Sequence, residues 1–361
     1  MASVLIYQLF TTGGAGKAAT QYANALAGLS HDVRIVTARV SPQLRDALCP
    51  SVSIDTLDAG RSLGAVTGLR DRLRQLRPDT VLTIGVSNMF ALEMAMYLSG
   101  HAPAVVLRET NSPSGLLQKY RGPKRWVKPM ILRRAYRRAD RVIALTNAMA
   151  FELERDWKVP AQAITMIPNG VDFPRETSPR PDNAHPVILS VARLSPQKDI
   201  ATLLRAFAAV RCKREARLKI AGDGRLRGDL EALSRDLGIS DDVEFLGHQG
   251  SPARLYAEAD LTVLSSHFEG FPNVLIEALA QGCPIVATDC PTGPAEIIQD
   301  ESVGKLARVG DPEDLARAIN AALDTRFETP TLYRRANDFS EDRMRETIAG
   351  FFQSMTGADA A

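Results

Sequence analysis

The chain has 361 residues, 45% hydrophobic and 24% charged, which is the balance of an ordinary soluble globular protein. That length exceeds most single cores and predicts two domains of about 150 residues each. The net charge of +2 hides an asymmetry: residues 1–172 hold 22 Lys/Arg against 13 Asp/Glu, and residues 173–361 hold 22 against 29. A basic half and an acidic half predict different partners for each.

No stretch approaches the ~20 apolar residues that cross a bilayer. The start, MASVLIYQLF, lacks a basic n-region and a small-residue cleavage site, so it reads as a first strand and not as a signal peptide. Cys49, Cys212, Cys283 and Cys290 are scattered with no C-x-x-C, which predicts free thiols in a reducing cytosol and no structural zinc.

In chain order, SVLIYQLF, DVRIVTA, SVSIDTL, TVLTIG, AVVLRE, RVIALT and AITMIP read as strands, several of them continuously apolar as in a parallel sheet buried on both faces. Helix-period segments at 17–29, 64–77, 88–99 and 124–139 separate them. The proline-rich stretch near 172–186 reads as a linker. Alternation resumes with PVILSVA, RLKIAG, VEFLG, LTVLSS and PIVATD. Two β-α-β series predict two doubly wound α/β domains facing across a cleft, with ligands at the carboxyl ends of the strands. A last helix, 341–355, has no strand after it and could pack on either domain.

TTGGAGKAA at 11–19 reads as a glycine loop opening the first helix, where Gly13 and Gly14 let backbone approach a phosphate or sugar. It is not a Walker A loop, because Ala18 stands where a hydroxyl should hold magnesium. Gly14-x-Gly16-x-x-Ala19 does satisfy a loose dinucleotide fingerprint, and Arg39 could meet an NADP 2′-phosphate. An NADP-dependent oxidoreductase is therefore a rival reading. Its one Tyr-x-x-x-Lys, Tyr120 to Lys124, is interrupted by Gly122 and Pro123.

Arg193 and Lys198 flank a Ser-Pro turn after the first strand of the second half, where two cations could clasp a diphosphate, although such a pair is often only solvated surface. Gly222 in IAGDG and Gly247 in VEFLG follow the next strands and are, taken alone, good β-α turns. HFEGFPNVLIEAL at 267–279 carries Glu269 and Glu277, and glutamate is common enough here that one E-x7-E match arises by chance. A carboxylate pair of the glycosidase kind is one reading of it. Its context is more specific: Pro272 is suited to the first position of a helix, and the N–H groups near Gly270 and Asn273 then favour anions. No D-x-D pair lies where it could hold a metal, Asp241-Asp242 reading as a loop.

RLSPQK, GDG, FLG, EGFPNVLIE and ALAQGCPIVATDCPTGPAEII, in this order, resemble retaining glycosyltransferases of family 4, of the group 1 type, which have the GT-B fold. The second half matches almost throughout, and the first through its glycine loop, its alternation and PNGVD at 168–172. The resemblance implies an acceptor domain over 1–172, joined by the returning helix 341–361, and a nucleotide-sugar domain over 183–335. It implies that Arg193 and Lys198 neutralise the departing diphosphate, Glu277 holds the ribose and Glu269 faces the donor sugar. Gly270, Phe271, Pro272 and Asn273 would offer main-chain groups to sugar and phosphate. It implies no cofactor and no metal, and a nucleotide sugar, most simply a UDP-sugar, as donor. Where many members carry a histidine, this chain reads Arg108-Glu109-Thr110-Asn111, which resembles the version in a subset that builds bacterial surface and lipid-linked glycans. Either Arg108 or Glu109 could occupy the histidine's place. His31 and His101 lie elsewhere and read as structural or surface residues.

Residues 119–141 hold ten Lys/Arg, among them Lys124, Arg125 and Lys128, interleaved with Trp126 and Met130. Such a helix suits a polyprenyl-linked acceptor or an anionic membrane at the inner face of the plasma membrane. The plainer reading is a solvated helix with snorkelling arginines. Nothing resembles a nucleic-acid module, and the chain is expected to be a monomer. A non-catalytic nucleotide-binding module remains the other alternative.

Overall fold

The computed structural model describes residues 2–10, 13–40, 42–57, 64–118, 122, 124–172 and 183–357. Thr11, Thr12, Tyr120 and most of the predicted linker (173–182) lie outside the described residues. The chain divides into two compact units, Met1–Gly170 with Glu341–Ala361, and Val171–Ser340. The sequence reading set these borders at 172, 183 and 335.

The first unit holds seven parallel strands: β1 (Ser3–Tyr7), β2 (Asp32–Thr37), β3 (Ser53–Thr56), β4 (Thr80–Ile84), β5 (Ala104–Arg108), β6 (Arg141–Ala144) and β7 (Ile164–Met166). Their order is β3-β2-β1-β4-β5-β6-β7. Thr80–Ile84 is buried at every position, as the uninterrupted apolar run requires of a strand covered on both faces. The second unit holds β8 (Val187–Val191), β9 (Arg217–Ala221), β10 (Val243–Gly247), β11 (Leu261–Leu264), β12 (Ile285–Thr288) and β13 (Gly304–Ala307), in the order β10-β9-β8-β11-β12-β13. Both orders place the first strand of the series between the second and the fourth, the doubly wound Rossmann-like arrangement. Strand β13 was not foreseen: GKLA has one large apolar residue, Leu306, and so no pattern to read.

The helices used below are α1 (Gly13–Gly28), α2 (Met89–Ser99), α3 (Lys124–Arg138), α4 (Ile200–Arg211), α5 (Asn273–Ala280) and α6 (Glu341–Gly357). Helix α1 begins four residues before the predicted start, so Gly13 and Gly14 form its first turn and not a loop ahead of it. Helix α6 packs on α1. Its Met344, Ile348, Phe351 and Phe352 recur at i, i+4, i+7 and i+8 and join Ala18, Tyr22 and Leu26 in one core. Burial of each such large side chain stabilises by roughly 1.5–3 kcal/mol, which ties the C-terminal helix to the first unit. Gln21 Nε2 adds bonds to Glu341 Oε1 and the Gly170 carbonyl, both at 2.7 Å.

Candidate active site

In the second unit the predicted residues gather at the carboxyl ends of β8 to β11. After β8, Leu194 is fully buried and pins the loop, while Arg193 is exposed and carries no ion pair among the described residues. A single 3-10 turn, Pro196–Lys198, leads to Asp199, which has a left-handed backbone (φ 42°) and whose side-chain Oδ1 caps α4 by accepting from Thr202 N–H.

The loop after β8 is braced to the loop after β11. Ser265 Oγ donates to the Lys198 carbonyl at 2.8 Å. The buried Gln197 accepts from His267 N–H through its carbonyl and donates from Nε2 to the Phe268 carbonyl. His267 Nε2 lies 3.4 Å from Asp199 Oδ2. This bracing delivers Lys198 Nζ to Glu269 Oε1 at 2.5 Å, with both side chains largely buried. The same oxygen accepts from Ser266 Oγ, and the Glu269 carbonyl accepts from Thr292 Oγ1. The buried Cys290 thiol is pushed up to about 12, first by burial and then by the Glu269 charge.

Gly222 and Gly247 close the same rim for a steric reason. Gly222 has φ +144° and donates to the Gly247 carbonyl at 2.7 Å. A Cβ on Gly222 would sit 1.9 Å from the Ala192 carbonyl oxygen, and one on Gly224 2.4 Å from that of Leu194. The GDG segment therefore allows the exits of β8 and β9 to approach backbone to backbone.

Two expectations about HFEGFPNVLIEAL are corrected. Pro272 is the residue before the helix and not its first, because α5 starts at Asn273. The Asn273 N–H is not open to an anion, since it donates to the Phe271 carbonyl at 3.0 Å. The Phe271 ring is buried edge-on against Phe339 at 5.4 Å, a packing role; Gly270 is buried as well. Glu277, a turn into α5, is half-buried and accepts from the Tyr256 hydroxyl at 3.1 Å. Burial first, and then Glu277, hold that hydroxyl well above its ordinary range. The two glutamates of the E-x7-E thus have separate partners.

In the first unit, Arg108 at the end of β5 is buried, stacks over Tyr22 at 5.7 Å, donates to the Glu109 carbonyl at 3.0 Å and bonds Asn169 Oδ1. Glu109 is fully buried, with Oε1 accepting from the Tyr136 hydroxyl at 2.6 Å and Oε2 from Thr110 N–H at 3.2 Å. Burial is the main reason its carboxyl is pushed up to about 7, and nearby Glu152 adds to it. Glu152 is itself held by Ser112 Oγ at 2.8 Å and Ser114 N–H at 2.6 Å. Asn111 is half-buried and caps Ser112 N–H. His31 and His101 bond backbone, at Ala2 N–H and the Pro78 carbonyl.

The basic segment is helical, with Trp126 exposed and Lys128 half-buried. A Cβ on Gly14 would meet nothing within 4 Å. Asp242 ends a 3-10 turn, Ser240–Asp242, and pairs with Arg211 and Arg217 at 2.7 and 2.9 Å. Sequence reasoning missed Gln197, Tyr256, Thr292, Tyr136 and Asn169. Gln197 inside RLSPQK, Thr292 inside CPTGPAEII and Asn169 inside PNGVD lay within quoted motifs, whereas Tyr256 and Tyr136 carried no signal.

Residues 175–341 match the family described as Glycosyl transferases group 1, and residues 12–175 match Glycosyltransferase Family 4. A Campylobacter jejuni relative, N-acetylgalactosamine-N,N'-diacetylbacillosaminyl-diphospho-undecaprenol 4-alpha-N-acetylgalactosaminyltransferase, is 28% identical over 66% of this chain and 64% of its own length. This chain thus spans just under two thirds of that relative. The MMP alpha-(1->4)-mannosyltransferase of Mycolicibacterium hassiacum is 24% identical over 93% of this chain and 91% of its own. Among solved structures, Anabaena Alr3699/HepE in complex with UDP and glucose superposes with a TM-score of 0.79 at 20% identity, covering 98% of this chain and 100% of that one. At that identity the likeness is one of fold.

Proposed function

Since the chain belongs to the group 1 glycosyltransferases of family 4, with their GT-B type of fold, we propose that it moves a sugar from a nucleotide-sugar donor to a glycan or lipid-linked acceptor, in the building of a surface polysaccharide or lipopolysaccharide. The donor is a UDP-sugar, and the anomeric configuration is retained. One observation carries the reading: exposed Arg193 and partly buried Lys198 stand at the end of one strand, with Lys198 oriented by Glu269. A departing diphosphate needs positive charge that is already in place, and a lysine anchored by a buried carboxylate supplies it without reorganisation. Glu277, oriented by Tyr256, takes the ribose hydroxyls, and Glu269 faces the donor sugar. No metal takes part in this reading.

The protein works as a monomer in the cytoplasm, peripheral on the inner face of the membrane. The Campylobacter relative's name includes a diphospho-undecaprenol acceptor, and a lipid-linked acceptor is the class carried over here. Calorimetry with UDP and NADPH tests the proposal. UDP binds, and Lys198→Ala and Glu277→Ala each weaken it. No UDP affinity, or NADPH binding in preference, refutes the transfer reading, and UDP binding without turnover of any UDP-, GDP- or ADP-sugar would leave a binding module.

A further inference from the structure

Of the twelve exposed large apolar side chains among the described residues, eight lie on two helices of the first unit: Phe90, Met94, Tyr97 and Leu98 on α2, and Trp126, Val127, Met130 and Ile131 on α3. Those on α2 fall at i, i+4, i+7 and i+8, which is one face. An exposed apolar face of this kind marks an interaction site. The helices touch, and Glu93 of α2 pairs with Arg134 at 2.5 Å and Arg138 at 2.8 Å.

Between the helices lies a groove of about 800 Å³, lined by Met89, Leu92, Met94 and Tyr97 with Arg134 and Arg138 at its edge. On α3, Trp126, Met130, Arg134 and Arg138 recur every four residues, so the exposed apolar ridge runs directly into the two arginines. Val105 and Asp140 also line the groove and place it at the amino ends of β5 and β6. Arg108 and Glu109 stand at the other end of β5.

We propose that this α2–α3 face docks on an anionic lipid bilayer. Trp126, Met130, Tyr97 and Met94 enter the interface, the groove takes an acyl chain, and Arg134 and Arg138 exchange part of their pairing with Glu93 for headgroup phosphates. Charge decides the occupant. Arg133, Arg134, Arg137 and Arg138 are exposed and α3 contains no acidic residue, so a second copy would set cation against cation. An anionic bilayer complements both the apolar ridge and the charge. Because the groove opens away from the end of β5 that carries Arg108 and Glu109, it anchors the first unit and does not read the acceptor's reacting group. This deepens the peripheral placement proposed above and has a test independent of the donor.

The test is co-sedimentation of the full chain with phosphatidylcholine vesicles, with and without phosphatidylglycerol, while tryptophan emission is followed. The chain has two tryptophans, and Trp157 is buried, so a blue shift reports Trp126. The chain should bind the anionic vesicles, shift blue and release as salt rises. Arg134→Gln/Arg138→Gln should weaken partition about thirtyfold, since each of the two cations near the surface is worth about 1 kcal/mol. Met130→Ser/Ile131→Ser, which leave the Trp126 reporter in place, should weaken partition and shrink the shift, and both variants should melt and bind UDP as the wild type does. No preference for anionic vesicles, or binding with unchanged emission, overturns the proposal. So does a dimer in sedimentation velocity that Trp126→Ser disperses, which would assign the face to a second copy. Vesicle binding by a chain that fails to bind UDP would refute the transfer reading and leave the docking standing.

Discussion

Lys198 Nζ sits 2.5 Å from Glu269 Oε1, and the two side chains are 14% and 7% exposed. Seventy-one residues apart in sequence, they meet because Gln197 and Ser265 lace the two strand exits together. A buried pair of this kind is weak evidence for stability, since desolvation offsets much of the attraction, but removing one partner strands the other. Lys198→Ala should therefore destabilise by about 3–5 kcal/mol in urea denaturation. Glu269→Gln should cost less, because Ser266 keeps a partner. A double-mutant cycle with no coupling between the two positions would show that the pair positions nothing.

The glycines separate two roles. Gly222→Ala forces a Cβ to 1.9 Å from the Ala192 oxygen and should cost roughly 3 kcal/mol or more in stability. Gly14→Ala meets nothing within 4 Å and should stabilise by up to about 1 kcal/mol, as alanine does in a helix. If backbone at Gly14 approaches ligand, the same substitution weakens donor or acceptor binding while raising Tm. A rise in Tm with unchanged binding makes the segment an ordinary helix start.

Glu109 predicts a pH dependence. Its carboxyl is pushed up to about 7 by burial from an ordinary value of 4.5. Between those values the native state holds a proton that the unfolded chain has released, so stability falls as pH rises through this window and levels off above it. The fall is on the order of 3 kcal/mol. Glu109→Gln cannot ionise and still accepts from Tyr136, so its stability relative to wild type should rise from pH 5 to pH 8. A pH-independent difference between the two denaturation curves would refute the buried-proton account.

Thiol labelling checks the second unit's rim. Cys49 and Cys212 are exposed, Cys283 and Cys290 buried, and the Cys290 thiol is held near 12. Thiolate is the reacting species, so a native chain at pH 8 should take up two equivalents of an alkylating reagent, and four in denaturant. Rapid native labelling of Cys290, read by peptide mass spectrometry, would mean that the loop around Glu269 opens.

What the sequence by itself determined is the run of strands other than β13, the two doubly wound units and the identity of the residues at their carboxyl ends. Backbone pairing and burial on both faces act over a few neighbouring residues, so TVLTI or LTVL declares its state locally. Family resemblance then attached roles to Arg193, Lys198, Glu269 and Glu277. Only the tertiary structure decided which side chains are partnered. It turned Lys198 onto Glu269, buried Arg108 and Glu109 behind Tyr22 and Tyr136, and closed the Asn273 N–H onto Phe271. It also set the apolar face of α2 beside the basic helix α3, where sequence pattern had shown only the latter. Periodicity reports which face of an element is covered, whereas charge pairing and groove formation depend on distances between elements remote in sequence, and those follow from packing.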